Sequence, residues 1–164
     1  MRKTLSVFVT GLCFATLCTA AVAQQLPKSG SINWHTGWKL EAEALTVADK
    51  TVQGHGSVVG VTFNDKGAGP LHLGPAECFF AFFVIDGKGK NLGYCAFGDA
   101  DGDRIFTEFT GNLGLPNGYD EGTNVIAGGT GKYVGITGSG PWKCKPSGAN
   151  GESQCAQRLD YRLP

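Results

Sequence analysis

The chain has 164 residues, and removal of a leader through residue 23 leaves 141, enough for one domain around one core and too few for a multidomain enzyme. The mature part keeps 25 of the 26 glycines and 15 aromatic residues but no methionine, a composition of short strands and tight turns that excludes coiled coils and helical bundles. Formal charge is zero, and loss of Arg2 and Lys3 leaves 12 basic against 14 acidic side chains, so no basic field exists to hold a nucleic-acid backbone.

Arg2 and Lys3 precede an apolar stretch from Leu5 to Ala21, and Ala21-Val22-Ala23 offers the small residues of a signal-peptidase site, which predicts cleavage after Ala23. Polar Gln24, Gln25, Lys28 and Ser29 end the stretch near the minimum spanning length of about 17 to 20 residues, which argues against a membrane anchor. Cys13 and Cys18 each follow a bulky leucine, unlike a lipidated cysteine. The leader has a bacterial style, so the mature protein is expected in the periplasm or outside the cell. Residues 24–31 read as an N-terminal linker and 32–164 as the folded domain.

Trp38 to Ala44 alternates apolar and charged residues at period two and is the first secure strand. A turn near Ala48-Asp49-Lys50 leads into a second strand from Thr51 to Phe63, followed by a Gly/Pro loop from Asn64 to Pro75. Cys78 to Ile85 and Asn91 to Phe97 form two further strands around Asp86-Gly87, a favoured two-residue hairpin turn. Gly98 to Gly102 turns the chain into Arg104–Phe109, and a loop through Asn112, Pro116 and Asn117 reaches a strand at Thr123–Ala127. Tyr133–Lys143 and Ala156–Leu163 complete eight strands, the spacing of a sandwich or barrel. An all-β, eight-stranded antiparallel barrel is the predicted fold, with lipocalin-like proportions.

Four cysteines remain after cleavage, Cys78, Cys95, Cys144 and Cys155. Counting outward from an Ile85/Lys88 closing pair sets Cys78 opposite Cys95 at a non-hydrogen-bonded site, where α-carbons lie about 4.5 Å apart, within disulfide range. A four-residue loop over Gly87–Lys90 would instead place Phe82 opposite Cys95, so bridge and register stand together. Cys144 and Cys155 flank a turn-rich segment with an Asn150-Gly151 step, and a second local bridge is expected there. A redox pair or zinc site fits less well, because there is no Cys-x-x-Cys and no histidine neighbours these cysteines.

Both faces of the Cys78–Ile85 strand are apolar: Cys78, Phe80, Phe82 and Val84 on one, Phe79, Ala81, Phe83 and Ile85 on the other. One face would fill a barrel, and the other would meet a loop, the N-terminal segment or a second subunit. A homo-oligomer is therefore among the expectations.

The stretch Gly128-Gly129-Thr130-Gly131-Lys132-Tyr133-Val134-Gly135-Ile136-Thr137-Gly138-Ser139-Gly140-Pro141-Trp142 is the most distinctive. It resembles the Gly-Thr-Gly-Lys-Tyr turn and Gly-rich strand of allene oxide cyclase barrels and their dirigent-like relatives. The resemblance implies an enclosed apolar cavity, used by the cyclases to ring-close an unsaturated fatty epoxide without a cofactor and by dirigent proteins to steer coupling of phenolic radicals. No catalytic residue of those families is carried onto this sequence. Physically, these glycines allow a tight turn and a coiled strand while Tyr133, Ile136 and Trp142 supply packing. A phosphate loop would need Ser or Thr where Tyr133 stands, and a dinucleotide site would need a helix that this glycine content forbids.

Asp99, Asp101, Asp103 and Glu108 form an acidic cluster that could ligate calcium, or an Asp/Gly turn facing water. His35, His55 and His72 show no metal-ligand spacing. Glu41 and Glu43 are expected outside, because the opposite strand face carries Trp38, Leu40, Ala42 and Ala44. Arg104 and Glu108 share a face with Phe106; were that face interior, they would be the candidate catalytic pair, and were it exterior, a solvated one. The expected function is binding of an apolar or aromatic small molecule without a cofactor, with a cofactor-free isomerase or cyclase, or a ligand-free structural protein, as alternatives.

Overall fold

The computed structural model describes residues 26–146 and 150–164. The leader expected over residues 1–23 lies outside the described residues, as does part of the turn between Cys144 and Cys155. Eight strands run in order: β1 (Ser29–Ala48), β2 (Thr51–Asn64), β3 (Leu73–Ile85), β4 (Lys88–Asp99), β5 (Arg104–Leu113), β6 (Asp120–Gly129), β7 (Thr137–Pro146) and β8 (Glu152–Arg162). Each pairs antiparallel with the next and β8 returns to β1, so the sheet closes into a barrel without a free edge. No helix among the described residues is long and apolar enough to cross a membrane.

Register follows from the turns. Asp86 and Gly87 both take positive φ, 49° and 75°, as a type I′ hairpin turn requires, and this fixes Ile85 opposite Lys88 and Cys78 opposite Cys95. Cys78–Cys95 and Cys144–Cys155 are both bridged, each with α-carbons 4.0 Å apart. Two boundaries differ from the sequence reading. β1 begins at Ser29, inside the segment read as a linker, because Ser29, Gly30 and Ser31 pair with Arg162, Tyr161 and Asp160. Tyr133 to Ile136 is not strand, because Gly131 and Gly135 adopt positive φ on either side of Tyr133 and wind Gly131–Tyr133 into a 3-10 turn.

The barrel is filled at one end only. Period-two alternation sends Ile32, Trp34, Phe97, Ile105, Leu159 and Tyr161 inward, and Leu71 from the β2–β3 loop and Tyr133 from the 3-10 turn close that end over them. Trp34 and Phe97 meet edge to face with ring centroids 5.2 Å apart. Toward the other end, where the β1–β2, β3–β4, β5–β6 and β7–β8 connections gather, the interior is open.

The two apolar faces of β3 part as expected. Cys78, Phe80, Phe82 and Val84 turn into the barrel, while Phe79, Phe83 and Ile85 lie outside, with Phe79 65% exposed. No loop among the described residues covers them.

Candidate functional site

The Gly-rich motif closes the filled end. The Tyr133 hydroxyl donates to Asp99 Oδ2 at 2.8 Å, and Lys132 Nζ lies 2.7 Å from the same oxygen and 2.6 Å from Asp101 Oδ2. The backbone N–H of Lys132 donates to Asp103 Oδ2 at 3.2 Å, and Thr130 Oγ1 accepts from the backbone N–H of Arg104 at 2.8 Å. Thus the ammonium of Lys132 supplies the positive charge between Asp99 and Asp101. No group of three or more His, Cys, Asp or Glu among the described residues is placed to hold a metal ion. Burial, reinforced by the Asp99 carboxylate, pushes the Tyr133 phenol far above the usual tyrosine range. Burial alone would lower Lys132, but its hydrogen bonds and charge pairing with Asp101 and Asp99 outweigh that and hold the ammonium above its usual range.

The open end holds a cavity of about 490 Å³. Its walls are Trp38, Leu40, Val58, Phe80, Phe82 and Phe109, with both disulfides set into them. Its floor is a hydrogen-bonded chain across four strands: Gln157 Nε2 donates to Thr36 Oγ1 (2.9 Å), Asn124 Nδ2 to Gln157 Oε1 (3.1 Å), and Thr107 Oγ1 to Asn124 Oδ1 (3.1 Å). All four residues are buried, and the chain lets these polar groups satisfy one another.

In a second row, Phe82, Asn91, Gly111, Gly122, Trp142 and Gln157 stand opposite one another in succession from β3 to β8, and this row meets the floor chain at Gln157. Two consecutive glycines leave the inner wall bare, and the Trp142 indole lies across it, edge to face with Phe109 at 5.9 Å. A Cβ on Gly111 would strike both the Trp142 ring and Asn91 Oδ1, so these two side chains converge above that glycine. Trp142 Nε1 and Asn91 Oδ1 are buried and have no hydrogen-bond partner within the described protein. Among the described residues, the only ionisable side chains lining the cavity are Asp120 and Glu152, at its hairpin end.

Arg104 and Glu108 are on the outer face of β5. Arg104 pairs with Glu77 at 2.9 Å instead of with Glu108, and the exposed Glu108 stands beside Tyr94 on the outside of the barrel. The condition for their catalytic role, an interior face, is not met. Glu41 and Glu43 are exposed, as expected; His55 lies 3.8 Å from Glu43 on that outer surface, and His35 stacks on Phe63 while contacting Asp65.

Of the residues that bring polar groups to the cavity, the sequence marks Trp142 only as packing and does not mark Asn91, Asn124 or Gln157 as site residues. A signal existed. Once the disulfides are known to face inward, alternation from Cys95 reaches Asn91, from Cys144 reaches Trp142, and from Cys155 reaches Gln157. The cysteines' own direction was the missing fact.

No family model and no curated protein sequence matches the chain. Among solved structures, a protein of unknown function of the DUF3224 family from Shewanella oneidensis MR-1 is similar, with TM-score 0.52 and 10% identity over 83% of this chain and 98% of that one. The pterocarpan synthase dirigent protein GePTS1 is similar with TM-score 0.51 and 12% identity over 92% of this chain and all of that one. At such identity the likeness establishes the barrel fold that this chain shares with a dirigent protein.

Proposed function

We propose that this protein is an exported barrel that binds one apolar or aromatic small molecule in its open half. The observation that carries this reading is the aromatic cavity of about 490 Å³, within the size range of small-molecule sites and lined, as they are, by apolar walls with a few placed polar groups. The leader read from residues 1–23 and the two disulfides agree with an oxidising compartment outside the cytoplasm. The likeness to a dirigent barrel supports a role for the interior. A cofactor-free cyclase would use the same cavity, but among the described residues its lining offers proton-transfer groups at the rim alone, in Asp120 and Glu152, which favours binding over catalysis.

Trp38 and Trp142 both line the cavity, so occupancy is readable from intrinsic fluorescence. Titration of the oxidised protein with the neutral apolar dye N-phenyl-1-naphthylamine is expected to saturate at one equivalent, with blue-shifted dye emission and energy transfer from tryptophan. Absence of saturable binding would remove the reading. Native mass spectrometry of protein taken from its own host is the companion measurement, and a retained mass would name the ligand class.

A further inference from the structure

We propose that the guest carries one positive charge, as a protonated amine or quaternary ammonium on an apolar or aromatic body, and that Asp120 holds this charge at the mouth; this rests on the binding reading above. Asp120 opens β6 at the open end, on the same inward face as Asn124 of the floor, and lines the cavity half-buried. Its Oδ1 accepts from the backbone N–H of Gly114 at 2.9 Å, which fixes the carboxylate against the β5–β6 connection. Its Oδ2 is bonded to none of the described residues and is not sealed from solvent, so a guest at the mouth can reach it. No ion pair among the described residues involves Asp120. Its ladder partner is Cys144, and the lysines on either side of that cysteine are committed elsewhere: Lys143 Nζ and Lys145 Nζ lie 4.3 and 5.8 Å from the centroid of the Tyr119 ring. Glu152, the other carboxylate of the rim, is exposed and stands opposite Lys39.

Three features of the lining act with one sign. Asp120 contributes a full negative charge. The rings of Trp38, Phe80, Phe82 and Phe109 carry electron-rich faces, which attract a cation and repel an anion. Among the described residues no lysine, arginine or histidine lines the cavity, so an anionic head would lose water without gaining a counter-charge, beside a carboxylate. A neutral head would bind through its body alone. A cationic head adds its attraction to Asp120 Oδ2, by hydrogen bond from a protonated amine or by charge alone from a quaternary one, while its body runs inward against Val58, Phe80 and Phe82.

The test is displacement of bound N-phenyl-1-naphthylamine at neutral pH and low salt by decyltrimethylammonium, 1-decanol and decanoate, which share a tail and differ at the head. The cation is expected to displace the dye at concentrations about tenfold lower than decanol, and decanoate to be the weakest. Asp120→Asn keeps the side-chain oxygen that accepts from Gly114 and removes the charge, so dye binding should persist while the preference for the cation over decanol falls below about threefold. Glu41→Gln removes the same charge from the exposed outer face and should leave the preference as it was. Displacement by decanol or decanoate as good as by the cation would overturn the inference while leaving the binding reading intact. A preference undiminished in Asp120→Asn, or lost equally in Glu41→Gln, would overturn the assignment to Asp120. Failure of the dye and of all three competitors to bind would remove the binding reading and the inference together. The comparison of the three heads on the unaltered protein needs no variant to fold.

Discussion

Tyr133 ties the most distinctive stretch of sequence to a buried carboxylate. Its ring is fully buried at the closed end and its hydroxyl holds Asp99, itself only 3% exposed, with Lys132 as the carboxylate's other strong partner. Replacing Tyr133 by Phe keeps the packing and removes one donor from a buried carboxylate, an expected loss of about 1 to 3 kcal/mol at neutral pH in urea unfolding. The pH dependence has a fixed sign. Both the Tyr133 phenol and the Lys132 ammonium hold their protons more strongly in the fold than in the unfolded chain. Their contribution is therefore complete below the unfolded values, about 10 for each, and is lost as pH rises above them toward the folded ones. The stability curve should be flat from neutrality to about pH 10 and fall beyond it, with a shallower fall in Tyr133→Phe. A parallel fall in both proteins would show that Tyr133 does not carry the alkaline limb. The sequence showed the acidic residues of this corner but not their partner, since Lys132 meets Asp99 and Asp101 only when the motif folds back across the end of β4.

The hairpin of β3 and β4 was legible in full because its turn chemistry, register and bridge are one constraint. Asp86-Gly87 sets the pairing, the pairing sets Cys78 against Cys95, and a slip by one residue would turn every Phe of β3 to the other side. The β7–β8 hairpin repeats the arrangement, with Cys144 opposite Cys155. Both bridges close short loops, with sequence separations of 17 and 11. On the chain-entropy account each loss is expected to cost about 3 kcal/mol, so Cys78→Ala with Cys95→Ala, and Cys144→Ala with Cys155→Ala, should each lower the urea midpoint clearly. Midpoints unchanged by reductant would contradict this. Tyr133–Ile136 reads as strand for a local reason: the aromatic and β-branched residues Tyr133, Val134 and Ile136 favour extended backbone, while the positive φ of Gly131 and Gly135 is a backbone property that composition does not specify. The interior was illegible for a different reason. Period two states which residues share a face, but only closure of the sheet decides which face is inside, and that choice sent Asn91 and Trp142 inward and Arg104 and Glu108 out.

Seen as a whole, the barrel's outside is divided. The outer faces of β7, β8 and β1 carry Ser139, Lys143, Lys145, Gln154, Arg158, Asp160, Lys39, Glu41 and Glu43, all exposed and mostly charged. Around β2 to β4 the outer face carries Val59, Phe79, Leu92 and Tyr94, each between 56% and 65% exposed, with Val61 and Phe83 beside them. Phe79 stands directly opposite Tyr94, so the two rings form the centre of one apolar surface rather than scattered residues. Such a surface is costly to leave in water. Its rim is charged in both signs, with Lys90 opposite Phe83 and Glu108 opposite Tyr94, and Glu77 already neutralised by Arg104. A second copy of the chain brings the same apolar centre and a rim that can pair Lys90 with Glu108 across the contact, which makes self-association the expected way this face is covered. Sedimentation velocity on the oxidised, leader-free protein should give a mass above that of a single chain of 141 residues. Phe79→Lys places a charge at the centre of the contact while pointing away from the core, so it should return the protein to a monomer with unchanged circular dichroism and unchanged dye binding. A monomeric mass for the unaltered protein across the accessible concentration range would refute self-association, and loss of dye binding in Phe79→Lys would show that the outer face and the cavity are not independent.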